Sequence, residues 1–476
     1  MKLQAVELSR RGLMLGTVAC ASQALQATIA DEKPEARSKN MRIGIIGAGL
    51  SGLCCGYELA KAGYRVDVFE ARNRLGGRVH SVPEFAPGQT VEFGAEFIGG
   101  NHPLWIYYAK EFGLKLLGIG ADDHESEIIL QGQRFSGHAL KELRAEIDIG
   151  HAELCDDARH VDWEQPWAFP DSERFDKTSL AERIATMRTS ERAKLAISTE
   201  FLMDMACESR RMSYLALACI IKAHGVEKYW TETEMYRCEG GNQRLASRFA
   251  EHLKGAGLHL DCPVTCIEQK DQCVEIQVSD GRSFEFDDVV LAIPPSVWQK
   301  IMITPKLPPA LHPQMGSATK FIAAVDQRFW QPERTCDLIT DSLIGFTWED
   351  DDTEDDEGRV LVSFTGGSLA EQIHELPFKE QSVKVSAEME RNLPGFSKHV
   401  VKSELVDWLR DPWMKGGYSF PAPGAFLKQA RLLHDGVGRL HFAGEHTSLG
   451  FAGFMEGGLH AGHSIATKLR RRDGVL

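Results

Sequence analysis

The chain has 476 residues, enough to bury an extensive core and to form two or more domains. With 43% hydrophobic and 26% charged residues it has the composition of a soluble globular protein. A formal charge of −14 disfavours nucleic acid as a partner and mildly favours cationic ligands, although acidity also serves solubility alone.

Ser9-Arg10-Arg11-Gly12-Leu13-Met14-Leu15 resembles a twin-arginine export motif, followed by a short apolar stretch and small-residue cleavage options near Ala24, Ala27 or Ala30. The stretch Leu13 to Ala21 is too short to span a membrane. The expectation is a signal peptide over 1–30, a linker over 31–40 and a bacterial periplasmic protein exported folded. Cys20 as a lipoprotein cysteine is disfavoured by Thr17 three positions before it. No transmembrane segment is expected further along. The cysteines show no metal-binding spacing, and free thiols are expected.

Met41 to Arg78 organises the rest. The apolar run Ile43 to Ile46 predicts a buried parallel strand. Gly47-Ala48-Gly49-Leu50-Ser51-Gly52 follows as G-x-G-x-x-G, then a helical pattern to Ala62, a second strand Arg65 to Phe69, and the acid Glu70. Gly47 permits the turn, Gly49 admits a pyrophosphate to the backbone, and Gly52 lets helix and strand pack closely. The helix N-terminus stabilises phosphate, and Glu70 is placed for ribose hydroxyls. Ala71, Arg72, Gly76, Gly77 and Arg78 then add a second glycine pair and guanidiniums suited to a longer dinucleotide.

From these residues the chain resembles the flavin-containing amine oxidases, the monoamine and polyamine oxidase superfamily, in which EARxRxGGR follows the fingerprint and clamps FAD. The resemblance implies an α/β fold: a discontinuous Rossmann-like FAD-binding domain (41–102, 230–300 and 400–476) with an α+β substrate domain containing a helical insertion (103–229 and 301–399).

Thr90 to Ile98 alternates like a strand. The family's matching segment passes beside the flavin, which implies contacts from Gly94, Ala95 and Glu96 and a cavity wall from Phe97; as an alternative, Phe97 is core. No arginine lies between Gly94 and His102, which disfavours an amino-acid substrate. Residues 103–229 read as largely helical, with helical spacing over Leu140 to Leu154 and Ser179 to Ala223. His102, His138, His151 and His160 are read as surface or packing residues.

Beyond Gly240-Gly241, a helix is predicted over Gln243 to Lys254 and strands over His259 to Pro263 and Val264 to Glu268. The resemblance assigns Val264 a backbone contact to adenine. A hairpin is predicted across Asp280-Gly281, then a buried strand Val289 to Ile293.

Lys320 sits inside the apolar run Met315 to Val325, where a lysine is costly unless paired or in contact with water. The resemblance makes it the candidate catalytic residue, holding a water near the flavin for flavin reoxidation or imine hydrolysis; the alternative is a solvated strand edge. Phe346 and Trp348 are candidate cavity residues or core. The acidic run Glu349 to Glu357 lacks the glycine of an EF-hand loop and reads as a solvated loop. No metal is expected.

Trp408, Gly417-Tyr418, Gly444-Glu445 and Gly453-Phe454-Met455 match the family's flavin-approaching stretches. Some members attach FAD through a cysteine where this chain has Gly417, which implies noncovalent FAD. Tyr418 and Phe454 match the aromatic pair that sandwiches the amine, Phe454 replacing the usual tyrosine. A helix begins at this point, its N-terminus suited to negative charge.

The resemblance implies oxidation of an amine to an imine, which hydrolyses to aldehyde or ketone, with electrons passing to O2 to give H2O2. An amine dehydrogenase using another acceptor, a carbon–carbon desaturase of the protoporphyrinogen oxidase type and a noncatalytic FAD-binding protein are the alternatives. The particular amine and the oligomeric state, a homodimer included, stay open.

Overall fold

The computed structural model describes residues 41–119, 126–253, 257–330, 335–350 and 359–476. The twin-arginine motif, the linker and most of the acidic run lie outside them. Among the described residues no helix is long and apolar enough to cross a membrane.

Five parallel strands form the central sheet, in the order Leu440–Phe442, Asp288–Leu291, Arg42–Ile46, Arg65–Phe69, Gly257–His259. Ile43 and Ile45 are fully buried, as expected for a strand covered on both faces. Helix Leu50–Lys61 crosses between the first two strands in sequence and packs along the last helix, Met455–Arg472. Gly52 has no alternative here: a Cβ would lie 2.0 Å from the Gly47 carbonyl oxygen, so the third glycine sets the helix-to-turn distance.

A four-stranded sheet built on the hairpin Val274–Val278 and Ser283–Phe286 packs beside this one. A seven-stranded sheet forms the second layer system, in the order Val400–Asp407, Ala318–Val325, Arg359–Gly366, Phe346–Asp350, Leu338–Thr340, Glu127–Leu130, Gln133–Phe135. A helical core, including Gly137–Arg159, Glu191–Asp204 and Tyr214–Ala223, packs on it.

Several expectations shift. Val400–Asp407 pairs antiparallel with Ala318–Val325, so this strand belongs to the seven-stranded sheet rather than to the dinucleotide-binding part. Residues 127–135 form a hairpin inside the stretch expected to be helical. The span Ser179 to Ala223 is broken into three helices, because Ser179, Ser190 and Ser213 each accept the N–H three residues on and start a new helix. The strand expected over His259 to Pro263 ends at His259, and that over Thr90 to Ile98 ends at Glu92. Beyond Glu92 the backbone instead follows the cavity described next.

Candidate active site

A cavity of about 780 Å³ begins at the glycine turn and is lined by Gly47, Gly49, Leu50, Ser51, Glu70, Ala71, Gly77, Arg78 and Val264. Gly47 takes a φ of +107°. Helix Leu50–Lys61 opens toward the cavity with no side-chain cap, and the buried Ser51 hydroxyl has no protein partner. Nothing closer than 3.9 Å would meet a Cβ at Gly49. An uncapped helix start, an orphaned hydroxyl and open space above a glycine fit a dinucleotide pyrophosphate. Glu70 accepts from Ala48 N at 2.9 Å and from Arg72 N at 3.0 Å, which fixes its carboxylate at the cavity wall.

Two expected cofactor residues do not line the cavity. Gly52 lies beneath the turn, and the Arg72 guanidinium is drawn away to pair with Asp411.

Glu445 ties the two ends of the chain together. It accepts from Arg78 Nη1 at 2.8 Å, Ser419 N at 3.0 Å, Ser419 Oγ at 2.8 Å and Gly453 N at 2.7 Å. Burial opposes its ionisation, but Arg78 and the neighbouring donors hold the carboxyl below the usual range. Gly444, Gly453, Met455 and Trp408 also line the cavity, and Trp408 Nε1 donates to Phe93 O at 3.3 Å.

Lys320 is 2% exposed and lies in the strand between Val400–Asp407 and Arg359–Gly366, which rules out a solvated edge. Its ammonium donates to Glu92 O at 2.7 Å, to Gly94 O at 3.3 Å and to the Glu96 carboxylate at 2.5 Å. All three of its protons are thereby directed to the segment that carries Gly94, Ala95, Glu96 and Phe97 along the cavity. Glu96 also receives Arg237 and, at 2.8 Å, Trp348 Nε1; Arg237 pairs in turn with Asp350. Burial pushes the Glu96 carboxyl up, but the charges of Lys320 and Arg237 outweigh it and hold the group ionised. Glu96 is therefore the lysine's counter-ion rather than a free polar contact. Phe97 and Trp348 pack on this cluster, with Arg237 5.3 Å from the Phe97 ring and Lys320 5.4 Å from the Trp348 ring.

Glu92, beside this cluster, accepts from Asn242 N and Ser81 Oγ, yet burial pushes its carboxyl up to about 7. A raised carboxyl binds its proton in the folded chain while the unfolded one releases it. The stability it contributes is complete below pH 4.5 and is lost as pH rises toward 7, by roughly 1–3 kcal/mol. The stability difference between wild type and Glu92→Gln should therefore shrink for the wild type between pH 4.5 and 8 in urea titrations. A difference that is constant with pH would show that Glu92 is ionised in the fold.

The cavity continues between aromatic walls. Tyr418, Phe346, Phe364 and Phe454 line it, and the Tyr418 and Phe364 rings are parallel within 8° at 6.5 Å between centroids. Tyr418 donates its hydroxyl to Asp204 O at 2.6 Å, and Gly453 leaves room for the ring, since a Cβ there would sit 3.2 Å from it. Phe454 precedes the final helix and rests on the buried histidines His102 and His224. His151 stacks on Trp230, another wall residue, at 3.7 Å; of the four histidines considered above, only His138 and His160 lie at the surface.

A parallel-sheet turn suited to a dinucleotide thus opens into an aromatic pocket against a second sheet, the arrangement of a dinucleotide-binding protein. Residues 50–470 match the family of flavin containing amine oxidoreductases, and the chain belongs to that family. It is 25% identical over 455 residues to the probable flavin-containing monoamine oxidase A of Dictyostelium discoideum, across 90% of this chain and 96% of that one. Cyclohexylamine oxidase from Brevibacterium oxydans IH-35A matches with a TM-score of 0.80 at 25% identity, over 91% of this chain and 99% of the other. Putrescine oxidase shares the fold at 24% identity with a TM-score of 0.81, over the same shares. The family implies FAD, and the chain is an oxidoreductase acting on amines.

Sequence reasoning missed Arg237, Asp350 and Phe364, and the carboxylates Glu200, Asp204 and Glu234 that also line the cavity. Of these only Phe364 carried a local signal, as an aromatic within a strand-like run.

Proposed function

We propose that the chain holds FAD noncovalently and oxidises an amine to an imine, which hydrolyses to an aldehyde or ketone, with O2 taking the electrons to give H2O2. The observation that carries this reading is the single cavity joining the uncapped helix at Leu50 to the parallel Tyr418 and Phe364 rings. FAD bound along the glycine turn supplies the acceptor for a hydride from the amine-bearing carbon.

The residues of the chain position and desolvate. Ser51 and the helix start would meet the pyrophosphate, and Glu70 the ribose. Arg78 and Glu445 lock the turn to the C-terminal segment. Tyr418, Phe454, Phe346 and Phe364 surround the amine and exclude water, which favours its neutral, hydride-donating form. Lys320 acts as a positioning residue: through Glu92, Gly94 and Glu96 it fixes the backbone that would flank the flavin.

Noncovalent binding is supported by Gly417, where a side chain's Cβ would lie 2.9 Å from that of Ala318. Acid precipitation should release all flavin to the supernatant; colour retained in the pellet would contradict it. Air-free titration of the flavin absorbance with amines tests the reaction itself. The twin-arginine motif supports export of the folded, flavin-loaded protein to the periplasm, which fractionation of cells carrying Arg10→Lys and Arg11→Lys would check.

A further inference from the structure

The edge of a sheet leaves a row of backbone N–H and C=O groups open, and natural proteins keep such edges short or covered. In the three larger sheets five of the six edge strands have only three or four residues: Leu440–Phe442, Gly257–His259, Ser283–Phe286, Met302–Thr304 and Gln133–Phe135. The sixth, Val400–Asp407, runs for eight residues without a proline. Among the described residues its outer side meets no other strand. No backbone N–H or C=O from Val400 to Val406 bonds outside the pairing with Ala318–Val325.

The three most exposed large apolar side chains of the described residues belong to this strand and to the helix packed on it: Val401 at 72%, Phe378 at 67% and Val383 at 67%. The helix, Phe378–Asn392, covers the face of the sheet that holds Phe321, Ala323 and Leu405. Phe378 sits at the end of the edge strand, since Arg410 lies 5.5 Å from its ring and pairs with Asp407. A bulge sets Val401 outward, because Val400 and Lys402 oppose the consecutive residues Val325 and Ala324. Apolar side chains gathered beside an open edge mark a contact surface, where scattered ones would not.

Charge selects the occupant. Lys402 and Glu404 flank Ser403 and point to the same face of the sheet. Neither meets an opposite charge within the described residues: Lys402 donates to Phe85 O at 3.4 Å and lies 4.2 Å from that ring, and Glu404 has no ion pair. Antiparallel strands related by a two-fold axis in one continuous sheet place some residue opposite itself, because opposed side chains share a face. With Lys402 or Glu404 there, like charges would oppose each other. With Ser403 there, each Lys402 faces Glu404 of the second copy, and Val401 faces Leu405. A lysine and a bulge ordinarily keep an edge unpaired, but against a second copy the lysine attracts. We propose that Val400–Asp407 is a dimer interface, two copies of this chain pairing antiparallel about Ser403 and joining their seven-stranded sheets edge to edge. The two Phe378–Asn392 helices then lie on the same side of the joined sheet, with Phe378 and Val383 beside the seam. A stable interface takes roughly 800 Å² from each partner, and the strand edge and this helix face are adjacent surfaces that contribute to it.

Sedimentation velocity of the FAD-loaded full chain between about 1 and 100 μM measures the association, and the wild type should be dimeric in the upper part of that range. Lys402→Glu and Glu404→Lys should each weaken the dimer at least about tenfold, since each turns both symmetric attractions into repulsions. The double swap Lys402→Glu with Glu404→Lys should restore it. Rescue by the swap, with the flavin-to-protein ratio unchanged throughout, separates loss of the interface from loss of structure. Ser403→Cys should give a disulfide-linked dimer on mild oxidation, because directly opposed residues lie within bridging distance, whereas Glu404→Cys should not. A wild type that stays monomeric to about 100 μM would overturn the proposal. So would a dimer indifferent to either single variant, or one the swap does not recover. A different protein or peptide held along this edge in place of a second copy would overturn it as well.

Discussion

Lys320→Met should destabilise the folded protein by about 3–5 kcal/mol, the cost of removing one partner from a buried ion pair. The methionine fills a similar volume, so the loss is electrostatic. Glu96 keeps Arg237 and Trp348 but loses the ammonium, and the Glu92 and Gly94 carbonyls lose a donor. The segment these groups hold lines the cavity, so FAD should also dissociate at least about tenfold more readily. Adding Glu96→Gln removes the carboxylate that has lost its ammonium and should recover part of the stability, giving a coupling of roughly 1–3 kcal/mol in a double-mutant cycle. Urea denaturation measures both. Additive effects of Lys320→Met and Glu96→Gln would show that the pair is not energetically linked.

Glu445→Ala should yield protein purified largely free of flavin and destabilised by about 3–5 kcal/mol. Four donors converge on this carboxylate from three parts of the chain: Arg78 after the dinucleotide turn, Ser419 beside Tyr418, and Gly453 before the final helix. Removing the acceptor leaves the buried Ser419 N–H and the half-buried Gly453 N–H without partners and leaves the Arg78 guanidinium only the Gly417 carbonyl. The flavin-to-protein absorbance ratio after purification and the urea midpoint check this. A variant with full flavin content and an unchanged midpoint would show that the C-terminal segment reaches the turn without Glu445.

The two-strand turn from Met41 to Arg78 was legible nearly residue by residue because its determinants are local: apolar runs, glycines at fixed offsets and an acid closing the second strand. The hairpin Glu127–Phe135 carried a local signal as well. Gln131 and Gly132 both take positive φ between two short strands, the pattern of a two-residue turn, which helical expectation for the region obscured. The serines that divide Ser179 to Ala223 were likewise visible as caps.

The charged cluster was not legible in the same way. Lys320 meets Glu96 across 224 positions, Arg237 meets Glu96 across 141, and Arg237 meets Asp350 across 113. Burial of Lys320 in an apolar strand announced a need for a partner, but no local pattern named it. Glu96 instead drew attention through the flavin-flanking segment that contains it. Val400–Asp407 was misassigned for a different reason. As an edge strand it is largely exposed, so its residues give no apolar run, and only its pairing with Ala318–Val325 reveals its sheet.

The most direct measurement is the flavin absorbance of the purified protein during anaerobic addition of amines, followed by admission of air. Loss of the oxidised flavin spectrum with an amine, restored by air with formation of H2O2, is the predicted result. Reduction that air does not reverse would replace oxygen with another acceptor. Bound flavin that no amine reduces would contradict amine oxidation at Tyr418 by this chain.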